Sequence, residues 1–199
     1  MSTITPTQPA PSPAPLALPA VYRMTVDEFE RIAGSLNDDQ VELLDGYVIG
    51  RDDMRQRHVL ATERRRRRLE RIVGEGYFVR EEKPIRIPEI DEPRPDISVV
   101  RGDPELFAQR HPAPAEVALL IEVSETGLDR DQGKKRFNYA RSVIPIYWIV
   151  NLVDNQLEVY TRPEPNGYQS SQILKAGQEI SVMIDGHEAG RIAVADILP

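Results

Sequence analysis

The sequence predicts an α/β domain: a mixed β-sheet flanked by helices, built on a core order of helix, three strands, helix and strand (α-β-β-β-α-β). A helix and hairpin stand before this core and a β-meander follows it. Two observations carry the prediction. Apolar or alternating runs at 77–87, 95–100, 116–123 and 144–150 have strand length and strand periodicity. Segments of helical spacing, about 54–73 and 129–142, precede the first run and stand between the last two. Strands that alternate with helices imply crossover connections, and in such sheets the usual site lies at strand ends.

Residues 1–20 carry no charge and hold six of the 17 prolines, so this stretch reads as a disordered or polyproline-like tail ahead of a single domain over 21–199. It is not a secretory signal, because Pro11, Pro13, Pro15 and Pro19 interrupt every apolar run. Thr25 with Glu28 forms a capping-box pattern that opens a short helix closing at Gly34. In VELLDGYVIG (41–50), Asp45-Gly46 is the dipeptide that best tolerates the positive φ angles of a tight hairpin turn. The second helix ends at Gly74, and YFVREEKPIRI (77–87) alternates in strand fashion until Pro84 and Pro88 demote its second half to an edge or bend. PDISVV (95–100) is a strand, and EVALLIEV (116–123) is apolar enough to be buried on both faces. A helix over 129–142 leads into the buried strand IPIYWIV, in which Tyr147 and Trp148 read as core or interface packing. QLEVYT (156–161) and GYQSSQIL (167–174) form the meander.

With 32 acidic and 25 basic residues the net charge is -7, which argues against a surface coated in positive charge. The charge is uneven, however. Segment 51–80 holds ten arginines against five acids, a local +5 that leaves -12 on the rest. Arg64 to Arg68 are consecutive, and at about 100° per residue five neighbours sweep the whole circumference of a helix, so at least one points inward or finds a carboxylate. Two readings stand: a solvated helix with snorkelling stems, or a face that contacts nucleic-acid phosphates through Arg64, Arg67 and Arg68. The absence of cysteine excludes a disulfide scaffold, a thiolate zinc site and a cysteine nucleophile. The apolar runs are shorter than the roughly 18 residues of a membrane span, so no membrane partner is expected and the cytoplasm is the expected location.

Phosphate-cradling glycine loops, GxSxG elbows and HExxH pairs are absent. What remains is carboxylate chemistry. Asp96 starts one strand, Glu122 lies near the end of the next, and Lys135 follows in the next helix. Two carboxylates on neighbouring strands can converge on Mg²⁺ or Mn²⁺, whose free waters can attack a phosphodiester, and an ammonium beside them can orient or activate that water. On residue types alone the same three side chains also fit a structural ion-pair set. Among 21 arginines the chain has only four lysines, so a lysine at this place is a mild hint toward the site.

RPDISVV (94–100), LLIEVSE (119–125), RDQGKKRFNYAR (130–141) and VIPIYWIVN (143–151), in this order, resemble the PD-(D/E)XK nuclease superfamily. More narrowly, they resemble a family of small stand-alone restriction endonucleases abundant in cyanobacteria and other bacteria. VELLDG (41–46), His58 at the entry to the first core helix and GRIAVADILP (190–199) fit the same family, so the resemblance runs over about 24–199. It implies the restriction-endonuclease-like fold and a Mg²⁺- or Mn²⁺-dependent endodeoxyribonuclease. By resemblance Asp96 and Glu122 are the metal ligands. The place two residues after the glutamate is Ser124, so the ammonium comes from elsewhere, and by resemblance the family's migrated lysine corresponds to Lys135. Asp131, Lys135 and Tyr139 share one helix face at i, i+4 and i+8, while Lys134 lies about 100° away, exposed or facing phosphate. Glu42 matches the glutamate before the family's hairpin turn, either as a further catalytic ligand to metal or water or as the partner of a buried arginine. His58 either orients a carboxylate or phosphate or bonds a local acceptor. Two departures touch the surroundings: Ser124-Glu125-Thr126-Gly127 replaces a serine-proline-serine/threonine run, and Asn151 replaces an aspartate.

The expected function is therefore endonucleolytic hydrolysis of DNA, by a homodimer that places two sites on opposite strands. The alternative is a catalytically inactive DNA-binding or interaction protein that keeps the nuclease fold.

Overall fold

The computed structural model describes residues 21–36, 40–51 and 65–198. The expected tail over 1–20, His58, Arg64 and the start of the arginine-rich helix lie outside the described residues.

Helix α1 (Val26–Ala33) opens as expected: Glu28 N donates to Thr25 Oγ1 and Thr25 N to Glu28 Oε2, satisfying two otherwise orphan donors. Strands β1 (Val41–Leu44) and β2 (Tyr47–Gly50) pair around Asp45-Gly46, both at positive φ (54° and 77°). At Gly46 a side chain is excluded twice over, since a Cβ would lie 2.7 Å from that of Arg23. Helix α2 covers residues 65–70. Then come β3 (Tyr77–Glu81), β4 (Ile97–Arg101), β5 (Val117–Ser124), β6 (Ile146–Asn151), β7 (Gln156–Glu164) and β8 (Gly167–Leu174). These six form one sheet in chain order, antiparallel throughout except for the β5–β6 pair. The parallel pair is joined by the expected crossover helix. As Pro84 and Pro88 imply, the strand begun at Tyr77 stops at Glu81.

The crossover helix, α3, departs from the regular spacing. α-Helical Leu128–Arg130 and Arg136–Arg141 flank a π-helical turn, Asp131–Lys135. Such a turn carries one residue more than an α-turn and re-aims the side chains around it. A second departure is β9 (Glu179–Ile184) with β10 (His187–Ala193), a separate hairpin beyond the meander. Asp185-Gly186 turns it with φ 48° and 82°, repeating the signal of the first hairpin.

Strand alternation divides the core in two. Ile121, Val123, Trp148, Val150, Leu157 and Val159 face a layer that includes Leu69 of α2, Val182 of β9 and Ile192 of β10. Leu120, Tyr147, Ile149 and Tyr160 face Tyr139 of α3 together with Ile85 and Ile144. Tyr147 and Trp148 are thus core residues on opposite sheet faces. Each fully buried large apolar side chain contributes about 1.5–3 kcal/mol, enough to fix α3 and with it the side chains that point at the strand ends. Within α3, a Cβ added at Gly133 would meet nothing within 4 Å and no positive φ is required. Gly133→Ala is therefore expected to stabilise the fold by about 0.4–1 kcal/mol in urea denaturation.

Candidate active site

Asp96 stands one residue before β4, and extending the Ile97↔Ile121 register places it opposite Glu122 on the face covered by α3. Both are buried, at 4% and 3% exposure. Backbone Val123 N donates to Asp96 Oδ2 at 2.6 Å, which ties the aspartate to the neighbouring strand, and Arg51 Nη2 approaches Asp96 Oδ1 at 3.3 Å. From α3, Lys135 Nζ donates to Glu122 Oε1 at 3.0 Å, and Tyr139 OH donates to the same oxygen at 2.9 Å. Lys135 Nζ also lies 3.0 Å from Glu42 Oε2 and 3.9 Å from Asp131 Oδ1. Arg94 N donates to Glu42 Oε2 at 3.1 Å, and Arg130 Nε lies 3.8 Å from Glu42 Oε1. The four residues singled out from the sequence, Asp96, Glu122, Lys135 and Glu42, thus come together, and a lysine rather than an arginine is the closest cation to Glu42.

This concentration of acids sets the electrostatics. Burial pushes the Glu122 carboxyl up to about 8 against the pull of Lys135, and Asp131, Asp96 and Glu42 add to the rise. Asp131 is raised too, chiefly by burial. Burial alone would pull the Lys135 ammonium down, but Glu122, Glu42 and Asp131 outweigh it and hold lysine above its ordinary value. Lys135 is therefore a fixed positive charge at neutral pH.

Among the described residues no three carboxylate or imidazole side chains form a ready-made ion cage. The donor set nevertheless fits a small hard cation. Asp96 and Glu122 are adjacent carboxylates, and Mg²⁺ is commonly held by one or two carboxylates with waters completing its shell. Glu42 Oε1 and Asp131 Oδ1 are buried with no hydrogen-bond donor, leaving acceptor capacity beside the pair.

The arginine-rich helix resolves as its geometry requires. Arg65 points inward, its Nε donating to Ile197 O, and burial lowers it to about 10 while Asp96 opposes that shift. Arg66 pairs with Glu70 and, at 2.9 Å, with Glu81. Arg67 and Arg68 are exposed, with Arg68 2.5 Å from Asp196. Lys134, 41% exposed, pairs with Asp45 at 2.8 Å across from the hairpin. None of these three joins the Lys135 cluster. Arg51, Arg130 and Asp131 do belong to its surroundings but were not singled out as site residues. Asp131 was legible from its i, i+4 spacing to Lys135, whereas nothing local marks the two arginines.

On the other side of β1, Glu92 is buried and its Oε2 has no donor. Burial, then the neighbouring Glu30, pushes it up to about 8. A folded-state value above the unfolded one, about 4.5, means the folded protein keeps a proton that the unfolded chain releases. This stability is fully present below about pH 4.5 and is lost as pH rises toward 8. Glu92→Gln is expected to flatten that decline, adding about 1–2 kcal/mol at pH 8 and little at pH 5. Melting curves across this range check it, and equal slopes in both proteins would remove Glu92 as the source.

Comparison with known proteins bears on this geometry. The sequence matches the Uma2 family model, described as "Putative restriction endonuclease", over residues 26–189. No curated protein matches the chain in sequence. Among solved structures the chain is similar to a protein from Anabaena variabilis described as "a putative nuclease belonging to DUF820". The TM-score is 0.69 at 15% identity, over 87% of this chain and 97% of that one. At that identity the likeness speaks to the fold, which is the nuclease fold the ordered motifs implied. No helix among the described residues is long and apolar enough to cross a membrane. Since the family match spans the hairpin, the crossover helix, all six sheet strands and each of Glu42, Asp96, Glu122 and Lys135, the chain belongs to the Uma2 family.

Proposed function

We propose that the protein is a metal-dependent endonuclease that hydrolyses phosphodiester bonds in DNA. The observation that carries this reading is the Lys135 ammonium, buried and bonded to both Glu122 and Glu42 at 3.0 Å, at the strand end where Asp96 stands opposite Glu122. Asp96 and Glu122 would hold Mg²⁺ or Mn²⁺, which when bound supplies Lewis acidity and a water of lowered pKa. Lys135, held protonated, orients water and stabilises charge on the phosphorus oxygens rather than removing a proton. Tyr139 fixes the Glu122 carboxylate through its hydroxyl, and Glu42 holds Lys135 from the opposite side. The exposed Arg67, Arg68 and Lys134 contact the DNA backbone, joined by Arg64 and His58. The protein acts in the cytoplasm as a homodimer, each copy addressing one strand.

Incubation of plasmid with the purified protein and Mg²⁺ or Mn²⁺, beside Asp96→Ala and Lys135→Ala, tests this. Cleavage that requires the ion and disappears in both variants is expected, and cleavage that survives both overturns the assignment. A catalytically inactive DNA-binding protein is the second reading. It is favoured by one observation: Lys135 already occupies the space between Glu122 and Glu42, ion-paired with both at 3.0 Å, with Arg130 3.8 Å from Glu42 on its far side. Its signature is DNA binding that weakens steeply with salt, with no cleavage under either ion.

A further inference from the structure

Behind the strand that carries Glu42 lies a cavity of about 1050 Å³. Phe78 and Arg80, two residues apart on β3, project into it from the sheet edge, and Phe107 closes it from the turn Pro104–Phe107. Glu92 and Arg94, from the segment that runs back along β1, complete the wall with Val41. Strand alternation divides neighbouring residues between this cavity and the catalytic cluster: Val41 lines the cavity while Glu42 turns to Lys135, and Arg94 borders both, its backbone N donating to Glu42.

The wall is built for an anion with an apolar part. Arg86 is matched by Asp27 and Glu30, and Arg110 by Glu116 at 2.6 Å, so these cations are already compensated. Arg80 and Lys83 have no carboxylate partner among the described residues, and Arg80 donates only to the Pro84 carbonyl, at 3.1 Å. Burial and then the like charge of Arg94 pull Arg80 down to about 10. Arg80, Lys83, Arg86, Arg94 and Arg110 line the cavity against Glu30 and Glu92, so cations predominate in its wall, and His111 beside them is pulled below its ordinary value by burial and then by Arg80. Glu92 is buried with an unpartnered Oε2, and burial together with its hydrogen bond to Glu30 pushes it up to about 8, so it adds little negative charge to the wall. Against these polar groups stand the rings of Phe78 and Phe107, with centroids 5.5 Å apart and tilted by 36°. Guanidinium and ammonium groups suit phosphate, and aromatic walls suit a nucleobase.

We propose that this cavity is a second binding site, for one nucleotide unit, with its phosphate on Arg80 and Lys83 and its base against Phe78 and Phe107. The unit is either a free nucleotide or a nucleotide of a nucleic-acid chain. The proposal does not depend on the hydrolysis reading, because it is tested by binding alone. Calorimetric titration of the full chain in EDTA with dAMP, inorganic phosphate and a five-residue single-stranded oligonucleotide is the measurement. One dAMP per chain is expected, bound about tenfold more tightly than inorganic phosphate, with Lys83→Ala and Arg80→Ala each weakening it about tenfold. Phe107→Ala should remove the advantage of dAMP over phosphate. An oligonucleotide that binds far better than dAMP identifies a chain segment as the occupant, and equal affinity identifies a free nucleotide. If Arg80→Ala does not fold, Lys83→Glu, at an exposed position, gives the same reading. No dAMP binding at millimolar concentration, or binding unchanged in the Lys83 variants, overturns the proposal.

Discussion

Replacing Lys135 by methionine is expected to lower DNA cleavage by about 10²–10⁴-fold and to destabilise the fold by about 3–5 kcal/mol. The two losses share a cause but separate experimentally. Methionine keeps most of the stem and removes the ammonium, so Glu122, Glu42 and Asp131 lose the charge that opposes their burial. Breaking a buried pair from one side costs far more than replacing both members, because an uncompensated charge remains. Adding Glu122→Gln in the same chain removes the most strongly burdened acid and should recover much of the urea stability. It should recover none of the cleavage, since the amide no longer serves as a hard anionic ligand. Recovery of both together would mean that Lys135 acts only through folding, and retained cleavage in Lys135→Met would remove it from the chemistry.

Much of this arrangement is written locally. Thr25 and Glu28 announce α1, Asp45-Gly46 announces the first hairpin, and the apolar run at 116–123 announces a strand buried on both faces. The pairing of Asp96 with Glu122 follows from two adjacent strands, and Lys135 with Tyr139 follows from helical spacing toward one carboxylate. What escaped the sequence depends on tertiary context. The π turn at Asp131–Lys135 has no compositional mark. It is fixed by what holds its two sides: Gln132 donates to Glu158 at 2.8 Å and Lys135 donates to Glu122. The β9–β10 hairpin carries the Asp-Gly signal at 185–186, but its second strand, with Gly190 and few apolar residues, alternates too weakly to be read as a strand. Arg51 reaches Asp96 from 45 residues away, a distance that periodicity cannot span. Net charge was similarly coarse. The -7 total conceals both the exposed Arg67 and Arg68 and an acid cluster whose charge is offset in place by Lys135.

Asp91→Ala is expected to cost about 2–4 kcal/mol and to reduce cleavage by about tenfold or more, although Asp91 touches none of the reacting groups. Asp91 Oδ1 accepts from Asp45 N at 2.6 Å and from Asn138 Nδ2 at 2.7 Å, and Arg141 lies 3.5 Å from Oδ2. The first donor belongs to the hairpin that carries Glu42 and the second to the helix that carries Lys135, so a single buried side chain fixes the two elements against each other. Alanine would leave both donors buried without an acceptor, each at a cost of about 1–3 kcal/mol. Asp91→Asn retains the Oδ1 acceptor and should stay close to wild type in both stability and cleavage. The asparagine also removes an acid that burial raises above its ordinary value. A raised acid contributes stability that is lost as pH climbs above its unfolded value, so Asp91→Asn should gain most, relative to wild type, on the alkaline side. Urea denaturation and cleavage rates for the two variants at pH 6 and pH 8 decide the matter. If asparagine fails as badly as alanine, the carboxylate charge, through Arg141, holds the elements together; if alanine is harmless, the Glu42–Lys135 contact aligns hairpin and helix unaided.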